Sequence, residues 1–343
     1  MSVVRCAFPI MPFDIFHSIG FPVLADTNTS VSAGQLFSQQ VINGLVLGSI
    51  YALIALGYTM VYGVLRLINF AHGDVYMVGA YITYLTVNKA MSMGHGPSWT
   101  LGLIALVGSM IGCGVLGVVI ERLAYRPLRR APRLTPLITA IGVSLFLENL
   151  GVQPFVFGAA PEFCPAAIPG DAIAFHFDGV IVARNSVILV AATLILLGIL
   201  WYVVSQTKLG KAVRAVSYDR DAASLMGINT DRVISFTFFI GSALAGAGAF
   251  LFAALTHDQL LPYMGILPGV KAFVAAVLGG IGNIPGAALG GFIMGLAETL
   301  VKAYGPAVHI PSSYADAAAF VILIVILLVR PSGLLGKGIV EKV

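Results

Sequence analysis

The sequence predicts an all-α integral membrane protein: a polytopic helix bundle of about 8–9 spans, with a broken or short helix near residues 260–282 and a two-helix loop within 207–232. Three observations predict it. First, 58% of the 343 residues are hydrophobic and only 10% charged, with a mean hydropathy of +0.95; a soluble domain carries roughly a quarter charged residues. Second, apolar runs of about 20 residues, the length that crosses a hydrocarbon core, recur along the chain. Third, 14 of the 19 Lys and Arg residues fall in loops that the alternation of spans puts on one side. By the positive-inside rule that side is the cytoplasm.

In chain order, residues 1–38 form an N-terminal extension of uncertain status. Its apolar stretch 7–24 is interrupted by Pro9, Pro12, Asp14, His17 and Pro22, which suits a spanning helix badly. A cleavable signal, an uncleaved amphipathic extension and a start codon placed too early all remain open. Residues 39–343 form the transmembrane domain, with spans at 43–65, 75–87, 99–120, 135–153, 186–204, 233–255, 284–301 and 314–329. The inner loops hold Arg66; then Arg122, Arg126, Arg129, Arg130 and Arg133; then Lys208, Lys211, Arg214, Arg220 and Arg232; then Arg330, Lys337 and Lys342. The acidic loop 155–184 then lies outside as an ordered cap.

Crossing parity exposes the unusual element. The loop at 207–232 and the C-terminal tail both lie inside, so an even number of crossings separates them, yet only three full spans are evident. Something between Asp258 and Gly282 must return across the membrane. The apolar stretch 269–282 is too short to span at about 1.5 Å per residue, so Pro262 and Pro268 are expected to interrupt a broken helix and the glycines of 279–286 to make its inner turn. Irregular backbone at membrane depth is tolerated where it is buried in protein or lines a wet cavity, which makes this element a pointer to a translocation path. A miscounted flanking span is the alternative.

The loop at 207–232 reads as two short helices. Gly210 opens the first, Ser217 and Asp219 are placed to cap the second, and Gly227 suits the left-handed position that ends it. Lys211, Arg214 and Tyr218 share one face at spacings of three and four. Small alanines between them would let the knob seat in another protein's groove; an ordinary basic cytoplasmic loop is the plainer reading.

Polar residues inside spans cost about 2.5 to 3.5 kcal/mol each on insertion scales, so Glu148, Lys271 and Glu298 are expected to point inward, Lys271 pairing with one of the two carboxylates. Structural pairing and proton coupling both fit that pattern. Asn69, His72 and Asp74, between the first two spans, form a hydrogen-bonded turn or line a pathway. Small residues along 241–248 and 286–295 allow close helix contact.

Several chemistries find no support. Cys6, Cys113 and Cys164 are odd in number and widely spaced, indicating neither a disulfide framework nor zinc, and Cys113 reads as a small core residue. His72 has no second ligand at metal spacing, so no metal site is expected. No G-x-x-x-x-G-K-[ST] loop or nucleophile elbow occurs. The chain is therefore expected not to be an enzyme and to bind no cofactor of its own. The formal charge of +4 comes from loop residues and points to the lipid bilayer rather than to nucleic acid.

Asp221-Ala222-Ala223 followed by Gly227 resembles the Glu-Ala-Ala-x-x-x-Gly coupling loop of ABC importer permeases, with Asp for the usual Glu. Ile68-Asn69-Phe70-Ala71-His72-Gly73, Glu121-Arg122-Leu123-Ala124-Tyr125-Arg126-Pro127, Lys271-Ala272-Phe273-Val274-Ala275-Ala276-Val277-Leu278-Gly279-Gly280 and Arg330-Pro331-Ser332-Gly333-Leu334-Leu335-Gly336 resemble the first permease subunit of bacterial branched-chain amino acid importers. The likeness runs from about Gln39 to Val343. It implies a multi-pass protein of the bacterial inner membrane, carrying leucine, isoleucine or valine. The implied partners are a second permease subunit, two ATPase subunits that use ATP, and a periplasmic binding protein. Under it, Gly210, Lys211, Arg214, Asp221, Ala222, Ala223 and Gly227 form the ATPase contact, while Asn69, His72, Glu148, Lys271 and Glu298 are candidate pathway or core polar residues. Two alternatives stay open: the same machine carrying urea or short amides, and an ion-gradient-driven carrier using Glu148 and Lys271.

Overall fold

The computed structural model describes residues 32–129, 131–132, 134–169, 173–177, 179–256, 258–309 and 311–336. The signal-like stretch 7–24, Cys6, Arg130, Arg133, Asp171, Asp178, Lys337 and Lys342 lie outside the described residues.

Helix α1 spans Ala33–Leu65, longer than the predicted span, because Ser32 and Gln35 form a capping box at its start. It is followed by α2 (His72–Ser92), α3 (Trp99–Ile120) continued by a π-turn at Glu121–Tyr125, and α4 (Leu134–Val152). The outer loop holds the short strand β1 (Glu162–Phe163) and the antiparallel hairpin β2 (Ile173–Phe177) and β3 (Val180–Ala183). Then come α5 (Arg184–Gln206), the knob helices α6 (Lys208–Tyr218) and α7 (Arg220–Leu225), α8 (Thr230–Leu255), β4 (Gln259–Leu260), α9 (Ile266–Gly279), α10 (Ile284–Tyr304) and α11 (Ala315–Val329). Among the described residues seven helices are long and apolar enough to cross a membrane. Helix α2 has the length, 21 residues, with a more polar sequence, and α9 has 14.

Helices α1 and α8 form the centre and are almost wholly buried, whereas α5 and α11 expose most of their apolar side chains. That gradient has a sequence cause. Gly291 and Gly295 of α10 press against Ala52 and Gly48 of α1 so closely that no side chain fits between them, the small-xxx-small contact expected of 286–295. On α8, Gly246 meets Ser109 of α3, whose hydroxyl donates to the carbonyls of Gly246 at 2.8 Å and Gly79 of α2 at 3.0 Å. The outer helices carry Leu, Ile and Val in place of such small residues and keep Ile138, Phe146, Ile195, Ile199 and Leu328 exposed, as a lipid-facing surface does. Cys113 is a buried core residue, its thiol 3.3 Å from the Val75 carbonyl.

The returning element is present, with a different construction from the expected one. Leu260 does not enter the membrane; it pairs with Glu162 in the outer cap. Pro268 does not break a helix either, since it lies in the first turn of α9, where its missing N–H would have no intrahelical acceptor. A single half-helix therefore runs inward from Ile266 and stops at Gly279. At about 1.5 Å per residue it covers roughly 21 Å of a core about 30 Å thick. Gly280 follows with φ +102°, a conformation that L side chains avoid, and reverses the chain into α10.

The segment after α11 closes this inner turn. Leu334 N–H donates to the Leu278 carbonyl at 2.8 Å, Leu335 N–H to Gly279 at 3.1 Å, and the Asn283 amide to the Leu335 carbonyl at 2.7 Å. The tail and the end of α9 therefore share one face, and α8, α9, α10 and α11 supply the even number of crossings. At the opposite end the Gln39 side chain bonds the main chain of Ile181 in both directions, 2.9 and 3.1 Å, fixing α1 to the outer hairpin.

Candidate functional site

The knob is built by caps. Thr207 ends α5 and begins α6: its hydroxyl accepts from Gly210 N–H at 3.1 Å and donates to the Val203 carbonyl at 2.6 Å. Gly210 lies against the carbonyls of Val203 and Val204, where a Cβ would collide, so the sharp α5–α6 corner needs a residue without one. Arg214 donates to the Val204 carbonyl across the same corner. Asp219 then caps α7, one carboxylate oxygen accepting from the Asp221 and Ala222 amides at 2.9 Å each. Ser217 takes no part in that cap. Gly227 ends the unit with φ +82°, and the space where a Cβ would point is empty.

Lys211, Arg214 and Tyr218 are exposed, as their spacing requires, and Asp221 and Ala222 are exposed with them. The alanines mostly do the opposite of what was expected: Ala223 is buried, and Ala212 and Ala215 pack inward on the bundle beside Val213 and Val216. They fit the knob to its own protein. What faces outward is an apolar tip, Tyr218 at 90%, Leu225 at 88% and Met226 at 82% exposure. Leu225 and Met226 belong to no capping or charge pattern; the signal they leave in the sequence is a Leu-Met pair directly before the terminating glycine, in an otherwise polar loop.

Behind the knob, Arg129 bridges Glu121 of the π-turn to Asp231 at the start of α8, Arg126 also pairs with Asp231, and Ser235 donates to Glu121 at 2.6 Å. The carboxyl of Glu121 is fully buried, so its pairing with Arg129 is a fixed joint at the end of α3, while the Arg126–Asp231 pair lies at the surface.

The polar residues of the spans separate into three places. Asn69 accepts from the Tyr125 hydroxyl at 2.9 Å, joining the α1–α2 turn to α3. His72 is buried with its ring edge-on to Tyr58, 4.7 Å between centroids, in the space that Gly57 leaves on α1. Asp74 turns towards α4, where Ser144 donates to it at 2.5 Å and the half-buried Glu148 lies beside it. The turn itself is hydrogen-bonded, His72 N–H donating to the Asn69 carbonyl at 3.1 Å, while the three side chains lead to three different helices. A narrow apolar crevice nearby is lined by Tyr58, Tyr62, Ile68, Phe273, Ala276 and Ile281.

Lys271 belongs to another cluster. Its ammonium lies 2.9 Å from Glu298 and 2.5 Å from Asp316, and 5.8 Å from the Tyr51 ring centroid. Glu298 is completed by Lys302 at 2.8 Å and by the Tyr51 hydroxyl at 2.8 Å. Of the two carboxylates open to Lys271 on sequence, Glu298 is the one it meets. Asp316 and Tyr51 could not be assigned to the cluster from sequence, because they lie on α11 and α1, whereas Lys302 stands four residues after Glu298 on α10, a spacing that pairs them. Among the described residues no group of three His, Cys, Asp or Glu side chains is arranged to hold a metal.

A bundle of membrane-length helices carrying one capped, apolar-tipped knob on its arginine-rich face defines a multi-pass membrane protein. Residues 40–329 match the family described as the branched-chain amino acid transport system / permease component. The chain belongs to that family. It is 44% identical over 310 residues to the high-affinity branched-chain amino acid transport system permease protein LivH of Escherichia coli K12, covering 90% of this chain and 98% of that one. It is 43% identical to the corresponding protein BraD of Pseudomonas aeruginosa, with the same coverage. A probable LivH of Methanocaldococcus jannaschii is 29% identical over 85% of this chain and 90% of its own.

Proposed function

We propose that this chain is the permease subunit of a binding-protein-dependent ABC importer for branched-chain amino acids in the bacterial inner membrane. The observation that carries the reading is the knob: rigidly capped, apolar at its tip, on the arginine-rich face of a chain whose relatives are high-affinity branched-chain amino acid permeases. A second permease subunit completes the channel, two ATPase subunits dock below, and a periplasmic binding protein delivers leucine, isoleucine or valine. ATP is used by the ATPase subunits.

The geometry supports a mechanical role. The bonds from Thr207 and Arg214 to the end of α5 make the knob a rigid extension of that helix. The Arg129 bridge ties the start of α8 to α3. A push on Tyr218, Leu225 and Met226 is thus delivered to whole helices instead of being absorbed in a loop. Helix α9, short and in contact with the polar core, is the element best suited to line the path.

Uptake of labelled leucine into vesicles tests this directly. Transport is expected only with binding protein outside and ATP and both ATPase subunits inside; uptake by this chain alone on an ion gradient would overturn the reading. Replacing Gly227 with Val, where a side chain points into open space, is expected to abolish substrate-stimulated ATP hydrolysis while leaving the assembled bundle intact.

A further inference from the structure

Between the knob and the bundle lies an open groove of about 830 Å³. One wall is the inner end of α1, Val64 to Arg66; another is the Arg126 to Arg129 turn after α3; the third is the knob from Val216 to Asp221. It sits where α1 and α3 end, lined mainly by polar and charged side chains, with Val64, Leu65 and Val216 buried at its base.

Four arginines line this groove, and their charges are not equally spent. Arg126 and Arg129 are held by Asp231 and Glu121. Of the other lining carboxylates, Asp219 is committed to the α7 cap, and Asp221 attracts its neighbour Arg220 without forming a salt bridge to it. That leaves Arg66 and Arg220, for which no salt bridge or side-chain hydrogen bond is formed among the described residues. The backbone of Arg66 is fixed, since it ends α1 in the left-handed conformation, φ +54°, with its N–H bonded to the Tyr62 carbonyl at 2.8 Å, and its side chain is exposed. Arg220 is half-buried, and burial together with the like charge of Arg129 lowers its pKa. An anion placed against Arg220 relieves the like charge of Arg129, which the attraction of Asp221 and Asp231 only partly offsets.

We infer that this groove binds a phosphate group, gripped by Arg66 from the α1 side and Arg220 from the knob side. Two guanidinium forks on different walls suit a tetrahedral oxyanion, which presents oxygens in several directions. Ser217 and Thr230 line the same groove and add hydroxyl donors. The phosphate is either the headgroup of an anionic phospholipid or free phosphate. Basic pockets between spans on the cytoplasmic side bind such headgroups. Bound phosphate would add a polar bridge between the knob and α1, which already meet through the inward packing of α6. The inference is independent of the cargo and of the motor subunits.

Thermal unfolding of the purified full-length chain in neutral detergent tests it, with titrations of inorganic phosphate, dihexanoyl phosphatidylglycerol and dihexanoyl phosphatidylcholine at constant ionic strength. Phosphatidylglycerol or phosphate is expected to raise the midpoint saturably, and the R66Q/R220Q variant to need at least about tenfold more ligand. R122Q/R232Q, which loses the same charge outside the groove, is expected to respond as wild type. A response to phosphatidylglycerol alone identifies the lipid, and a response to inorganic phosphate the free ion. If R66Q/R220Q does not fold, the single variants R66Q and R220Q are titrated, each with a several-fold loss expected. No saturable response in the wild type, or equal losses in the groove and control variants, would overturn the proposal.

Discussion

The two ends of α9 are held by different physics. At its outer end Lys271 is tied to Glu298 and Asp316 by charge; at its inner end Leu278 and Gly279 are tied to Leu334 and Leu335 by main-chain hydrogen bonds, around a glycine turn that admits no side chain. Charge pairs tolerate rearrangement, because a lysine can exchange one carboxylate for another or for water. A main-chain clasp has one geometry. The contrast makes the outer end of the half-helix the adjustable one and the inner end the fixed one.

The largest effect is expected from breaking the outer end. Lys271→Met removes the cation shared by Glu298 and Asp316, and loss of one partner of a buried pair costs about 3 to 5 kcal/mol. Thermal or denaturant unfolding in detergent should register it, and K271M/E298Q should recover a substantial part; an unchanged midpoint for Lys271→Met would show that the cluster contributes nothing. Gly280→Ala strains the inner end, where φ is +102° and a Cβ would press on Gly336. Its expected cost is about 1 to 3 kcal/mol, read by the same unfolding measurement and by faster proteolysis of the C-terminal tail. Asp219→Ala touches neither end. It removes one helix cap, about 1 kcal/mol locally, and is expected to spare the unfolding midpoint while weakening ATPase stimulation in the reconstituted complex. The smallest change belongs to Lys302→Ala at the partly exposed rim of the cluster, at most about 1 kcal/mol. A loss as large as that of Lys271→Met would mean that the rim, and not the buried pair, carries the outer end.

The same contrast explains what was legible in the sequence. Crossing parity required a return between Asp258 and Gly282, and a half-helix answers it, because parity and length are properties of the chain alone. The route of that return was misread: Leu260 is a strand residue held by Glu162, a pairing across almost a hundred positions that no local pattern encodes. Likewise a buried Lys271 demands an anion, so its pairing with a span carboxylate was readable, yet Asp316 and Tyr51 join it only through the packing of α11 and α1 against α9. In the knob, the cap at Asp219 and the stop at Gly227 were local and readable. The inward turn of Ala212, Ala215 and Ala223 was not, since a small side chain suits either surface and only the position of the bundle decides which one it meets.

The clasp also bears on how the protein is made. Fourteen residues of α9 are too few to anchor themselves across a bilayer, and the main chain that secures their inner end emerges only after α10 and α11 have been threaded. During insertion the half-helix must therefore wait, unsecured, for a segment synthesised some fifty positions later to reach back and lock it. A chain ending just short of Arg330 would keep α10 and α11 and leave the inner end of α9 unlocked.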